Sequence, residues 1–183
     1  MSPVSSLIQK LGIVAAAIVV SVSAGCETSQ TTGHSEHSGP VMNYHRIDER
    51  LVTGGHLIDD GVTVLQAEGV AVVIDLRDKP PPGERERLAD KGIGWINVPV
   101  VWRDPTAKDF AHFREIMQSN QDKHVLVQCA ANYRASAMTY LYRVVVENVD
   151  EKQAAKDLHA VWNPKEENER WSRYIDDIKR SAH

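Results

Sequence analysis

Two rhythms of apolar residues alternate along the chain from about residue 50 onward. Short continuous runs, Val70 to Leu76 (VAVVIDL), Gly94 to Val100 (GWINVPV) and Val125 to Gln128, read as strands, because a parallel strand buried on both faces needs no polar alternation. Arg50 to Thr53 adds a shorter strand, ended by Gly54-Gly55. Between the runs lie segments of helical spacing: Asp59 to Glu68, stopped by Gly69; the charged Glu84 to Lys91; and Thr106 to Gln118, with Thr106 as N-cap and Phe110, Phe113 and Met117 on one face. Pro80 to Gly83 forces a loop. Ala135 to Glu147, Val149 to Val161 and Glu166 to Arg180 are three further predicted helices, the last two separated at Asn163-Pro164, with Trp162 and Trp171 as packing anchors. Strands alternating with helices predict an α/β fold of three layers, a central, mostly parallel sheet of about four to five strands flanked by helices.

The first 42 residues follow neither rhythm. Lys10 precedes fourteen uncharged residues, LGIVAAAIVVSVSA, which form a signal-peptide core too short for a confident membrane span. The stretch Ser23-Ala24-Gly25-Cys26 resembles a bacterial lipobox, so residues 1–26 are expected to be a lipoprotein-type signal peptide with Cys26 acylated; ordinary secretion and an uncleaved anchor are the alternatives. Glu27 after the cysteine favours the outer membrane, facing the periplasm. Residues 27–42 are polar and lack an apolar period, as a disordered linker would. His34 and His37 have metal-ligand spacing but no thiolate or carboxylate set around them, and solvated linker is the expectation. Residues 43–183 are then one domain, large enough to build a core without disulfides.

Charge and cysteine content narrow the chemistry. The formal net charge of the 183-residue chain is −4, and a nucleic-acid footprint would want a basic excess. An acidic protein that meets an anion must do so in a local basic pocket. Cys26 and Cys129 are the only cysteines, too few for a disulfide framework.

Such a pocket is legible in HVLVQCAANYRAS, residues 124–136. A strand followed by a helix makes Cys129 to Arg134 the turn between them, and that turn aims backbone N–H groups and a helix N-terminus at one small volume. Cys129 would stand beside two positive groups, and the thiolate is the nucleophilic form of cysteine. Arg134 adds planar, bidentate donors for a phosphate or sulfate. The bland alternative is a buried cysteine acting as a small hydrophobe.

LVQCAANYRASAMTYLYR resembles the loop of the cysteine-dependent protein tyrosine and dual-specificity phosphatase superfamily, in a small bacterial branch with a C-x4-R loop. LVTGG, VVIDLR and INVPV look like the same family's strand ends, and the resemblance covers about residues 44 to 162. It implies a dual-specificity-phosphatase-like fold and a phosphoric monoester hydrolase working through a phosphocysteine on Cys129. The N–H groups of Ala130, Ala131, Asn132, Tyr133 and Arg134, with the Arg134 guanidinium, would bind the phosphate. Asp104, in a Trp-Arg-Asp-Pro loop 25 residues before Cys129, would be the general acid, with Asp78 and Asp109 as fallback acids, and Ser136 would hydrogen-bond the thiolate. No cofactor, metal or nucleic acid is implied. Three departures stand out: the loop is one residue shorter than the usual C-x5-R, Gln128 replaces the usual histidine, and Asn132 stands where a glycine is common. Arg77 is either a substrate contact or a solvated salt bridge.

The leading expectation is a lipid-anchored phosphatase of the bacterial cell envelope acting on a phosphomonoester of unknown class. A rhodanese-like sulfurtransferase, which also uses a cysteine in a C-x4-R turn, and a non-catalytic anion-binding or scaffold domain are the alternatives.

Overall fold

The computed structural model describes residues 39–182. In chain order the elements are β1 (His45–Arg46), β2 (Leu51–Gly54), α1 (Gly61–Ala67), β3 (Val72–Asp75), α2 (Glu84–Asp90), β4 (Gly94–Asn97), α3 (Ala107–Gln118), β5 (Val125–Gln128), α4 (Tyr133–Val145), α5 (Glu151–His159), α6 (Pro164–Glu167) and α7 (Glu169–Ser181). The sheet order is β1-β2-β5-β3-β4, with β1 antiparallel at the edge and the other four strands parallel.

The period of two along each strand divides the core into two layers. Leu51, Val72, Ile74, Val125 and Val127 point to one face, where Phe113 of α3, Leu141 of α4, Leu158 of α5 and Trp171 of α7 cover them. Val52, Val73 and Leu126 point to the other face, against Val62 and Leu65 of α1 and Leu88 of α2. The fold is therefore the three-layer α/β arrangement expected from the sequence.

Four details differ from the sequence reading. Strand β1 was invisible because two residues carry no period. Val41 and Met42, assigned to the linker, belong to the domain: Val41 is buried in the core, and Met42 exchanges backbone bonds with Gly55 and His56. The helix predicted to start at Ala135 starts at Tyr133. The helix predicted over Glu166 to Arg180 is two, because Asn168 is extended (φ −155°, ψ 98°) and its side chain accepts the Trp171 N–H to cap α7. Thr106 caps α3 as expected, through a reciprocal box with Asp109.

The four parallel strands end in one paired row, Gly54, Gln128, Asp75 and Asn97. Ligands of open α/β sheets bind beyond such strand ends. Cys26, His34 and His37 lie outside the described residues. Among the described residues no helix is long and apolar enough to cross a membrane, and no group of three or more His, Cys, Asp or Glu is placed to hold a metal ion.

Candidate active site

Cys129 is the first residue beyond that row. Its N–H donates to the Gly54 carbonyl at 3.1 Å, and the residue is 2% exposed. The chain then turns through Ala130, Ala131 and Asn132 and enters α4 at Tyr133. Asn132 makes the turn with φ 69°, a left-handed conformation that asparagine tolerates better than most residues. The N–H groups that open α4, those of Tyr133, Arg134 and Ala135, have no acceptor within the helix, and the positive end of the helix lies at the turn.

The outer side of the turn is held by the segment after β2 and by the chain before β1. The Ala130 carbonyl accepts the His56 backbone N–H at 3.0 Å, and His56 Nδ1 lies 3.0 Å from the same oxygen. Asn43 Nδ2 donates to the Ala131 carbonyl at 3.1 Å. A side chain on Gly55 would meet the Ala130 carbonyl at 2.8 Å and the Ala131 Cα at 3.0 Å, so only glycine permits this approach. In a trans peptide the N–H points opposite the preceding carbonyl, so the Ala131 N–H faces away from His56. Sequence reasoning missed Asn43 and His56, because nothing local marks a contact that spans 88 or 74 residues.

Arg134 lies inside the first turn of α4. Its Nη1 donates to the Leu76 carbonyl (3.2 Å), the Val100 carbonyl (2.7 Å) and Asp78 Oδ1 (3.2 Å). One terminal nitrogen thus ties the helix to the chain leaving β3 and β4, and Nε and Nη2 have no partner among the described residues. Asp78 is 41% exposed by side chain.

Ser136 is engaged on the far side of the turn. Its hydroxyl donates to the Asn132 carbonyl at 2.7 Å and accepts the Trp162 indole N–H at 3.1 Å. The early start of α4 places Ser136 one helical turn past Asn132, where a serine hydroxyl bonds back to the i−4 carbonyl. It braces the turn and is not bonded to the Cys129 thiol.

Asp104 is exposed in the loop after Val100, where its N–H closes a tight turn onto the Val101 carbonyl at 3.0 Å. Trp102 links this loop to the cysteine turn. Its ring centroid lies 6.1 Å from Tyr133, 5.7 Å from Trp162 and 5.3 Å from Trp171, and its carbonyl accepts the Trp171 indole N–H. Tyr133 in turn stacks on Trp162 at 5.0 Å. One aromatic cluster therefore backs both loops. Asp109, a fallback acid by sequence, is occupied as the partner of Thr106, whose N–H its carboxylate accepts at 2.8 Å. Of the two fallback acids, Asp78 is the one bonded to the turn's arginine.

Beneath Cys129 lies a buried charged network. Arg77 donates to both oxygens of Asp75 and to Glu84, and Gln128 donates to the same Glu84 oxygen at 2.5 Å. All four residues are buried, so Arg77 forms a buried ion cluster with Asp75 and Glu84 in place of a solvated salt bridge. Burial alone would lower the Arg77 pKa, but the bonds from Asp75 and Glu84 outweigh it and raise it above the usual arginine value. The i, i+2 spacing of Asp75 and Arg77 was the signal in the sequence, since it sends both side chains to one face. Gln128 thus directs its side-chain amide to Glu84.

The family described as PTP-NADK, a DSP-PTPase phosphatase fused to NAD+ kinase, matches residues 22–174. This chain belongs to the DSP-PTPase phosphatase family. A search of the curated proteins gives no match. Among solved structures, a candidate phosphatase of the DUF442 group from Shewanella putrefaciens CN-32 superposes with a TM-score of 0.67 at 25% identity, covering 77% of this chain and 91% of that one. TpbA from P. aeruginosa (TM-score 0.62, 18% identity, 77% and 91% covered) and the core catalytic domain of the PP-IP phosphatase SIW14 from S. cerevisiae (0.64, 16%, 78% and 92%) share the fold. DSP-PTPases are cysteine-dependent phosphoric monoester hydrolases. In this DSP-PTPase α4 begins at Tyr133, which puts Arg134 on its first turn, and Asn132 before it is left-handed.

Proposed function

We propose that the protein is a cell-envelope phosphatase that hydrolyses a phosphomonoester through a phosphocysteine on Cys129. The observation that carries the reading is the turn itself: a cysteine at a strand end, a left-handed asparagine, and an arginine on the first turn of the following helix. The Cys129 thiolate attacks phosphorus, and the P–O bond to the leaving group breaks. Asp104 gives its proton to the departing oxygen. The N–H groups opening α4, together with Arg134 Nε and Nη2, stabilise the charge on the equatorial oxygens. Asp104, now a carboxylate, takes a proton from water, which attacks phosphorus and returns inorganic phosphate and the thiolate. Ser136 has no proton-transfer part in this sequence.

Purified protein should release phosphate from an aryl phosphate between pH 5 and 8. Absence of turnover in folded protein rejects the proposal, and sulfur transfer from thiosulfate to cyanide in its place would mark a sulfurtransferase. Asp104→Asn is expected to lower turnover about 10²-fold or more, the usual range for loss of a general acid. A near-normal rate in that variant would move the acid role to Asp78, the carboxylate bonded to Arg134.

The envelope address rests on the lipobox-like Ser23-Ala24-Gly25-Cys26. An acyl chain there would tether the domain to the membrane through residues 27–40. Cys26→Ser is expected to abolish metabolic labelling with palmitate, and unchanged labelling would refute the anchor.

A further inference from the structure

Two asparagines in left-handed conformations, Asn43 (φ 48°) and Asn132 (φ 69°), meet across the outer side of the cysteine turn. Asn132 Nδ2 donates to the Asn43 carbonyl at 2.6 Å and to Thr53 Oγ1 at 3.0 Å. Asn43 Nδ2 donates back to the Ala131 carbonyl at 3.1 Å. Each asparagine therefore bonds the backbone of the other's segment, and the carbonyl acceptors fix which way both amides face. Asn132 is fully buried, and its Oδ1 has no partner among the described residues. The Asn132 side chain is thus committed to its two donor contacts. The segment bearing Asn43 is itself fixed, because Met42 N–H donates to the His56 carbonyl and Gly55 N–H to the Met42 carbonyl.

We propose that Asn43 and Asn132 form a reciprocal clasp that holds the shortened turn in its anion-binding shape, which makes both of them positioning residues for the phosphatase reaction. The proposal rests on the reading of the turn given above. A glycine at position 132 would supply the backbone conformation alone; asparagine supplies it and also ties the turn to residues 43 and 53. Asn43 uses its own left-handed φ to aim its amide back at Ala131. Neither side chain serves as a substrate contact: both amides are spent within the protein. The clasp acts by fixing where the carbonyls of the turn point, and hence where the opposed N–H groups lie.

Glycine variants of the full chain separate backbone conformation from clasp, since glycine accepts both positive φ angles. Asn43→Gly and Asn132→Gly are expected to weaken calorimetric binding of inorganic phosphate about tenfold each, the scale of one or two lost hydrogen bonds. kcat/KM on an aryl phosphate should fall in parallel, with the melting temperature of Asn43→Gly close to that of the native protein. The double variant should bind little worse than either single one, because the two act as one unit. Asn148→Gly is the control: Asn148 is also left-handed (φ 55°), but its side chain bonds the Val146 carbonyl after α4, and phosphate affinity should not change.

Unchanged phosphate affinity in folded Asn43→Gly overturns the clasp, and should Asn132→Gly fail to fold, the exposed Asn43 decides alone. A native protein that binds no phosphate overturns it as well. Phosphate binding that depends on both asparagines, in a protein that hydrolyses no phosphomonoester, leaves the clasp standing and removes only the phosphatase reading.

Discussion

Cys129→Ser is expected to lower phosphate release at least about 10⁴-fold, the scale seen when a covalent nucleophile is removed. A serine hydroxyl keeps its proton near neutral pH and needs an adjacent base to attack phosphorus. No base is bonded to position 129 among the described residues, and the nearby Ser136 hydroxyl is engaged by Asn132 and Trp162. The substitution is nearly isosteric, but position 129 belongs to the apolar core cluster, so a hydroxyl there costs roughly 1–3 kcal/mol of stability. The variant should still fold and bind inorganic phosphate within a few-fold of the native affinity, because the N–H groups and Arg134 remain. Phosphate-release assays and calorimetry on one preparation check both halves. Turnover within tenfold of native would mean that phosphorus is never transferred to Cys129.

Arg77→Ala is expected to produce the largest loss of stability. Arg77 is the one cation between two buried carboxylates, Asp75 and Glu84. Removing it leaves both without their counter-ion, a loss of roughly 3–5 kcal/mol for breaking one side of a buried pair. In a domain of this size that is a fall of about 10 °C or more in melting temperature. Replacing Asp75, Arg77 and Glu84 together by apolar residues of similar volume should recover much of the loss, since a buried ion cluster is seldom worth more than good packing. Melting curves of the single and triple variants test this. A shift below about 3 °C for Arg77→Ala would show that solvent reaches and pays for the stranded carboxylates.

The layers of the fold were legible because they obey local rules. Val72 to Ile74 and Val125 to Val127 are apolar on both faces, and Thr106 caps α3 from its own sequence neighbourhood. The cysteine turn was legible for the same reason, including the left-handed Asn132, whose conformation follows from its residue type. The start of α4 was not: the sequence predicts Ala135, whereas the helix begins at Tyr133, directly after the left-handed Asn132. The Ser136 hydroxyl's partners, the Asn132 carbonyl and the Trp162 indole, could not be read by counting from the cysteine, since its direction depends on that helix start. Arg77 could be placed on a strand end but not known as buried until α2 brought Glu84 over it. Asn43 and His56 carried no local signal at all.

Three of the bonds that shape the turn join residues far apart in sequence. Asn132 reaches back 89 residues to Asn43, His56 forward 74 to Ala130, and Arg134 back 58 to Leu76. Contacts of that separation require the intervening chain to be closed, at a cost in loop entropy. A chain that has not closed these contacts carries Cys129 without its cradle. The turn's cradle therefore exists only together with the completed sheet.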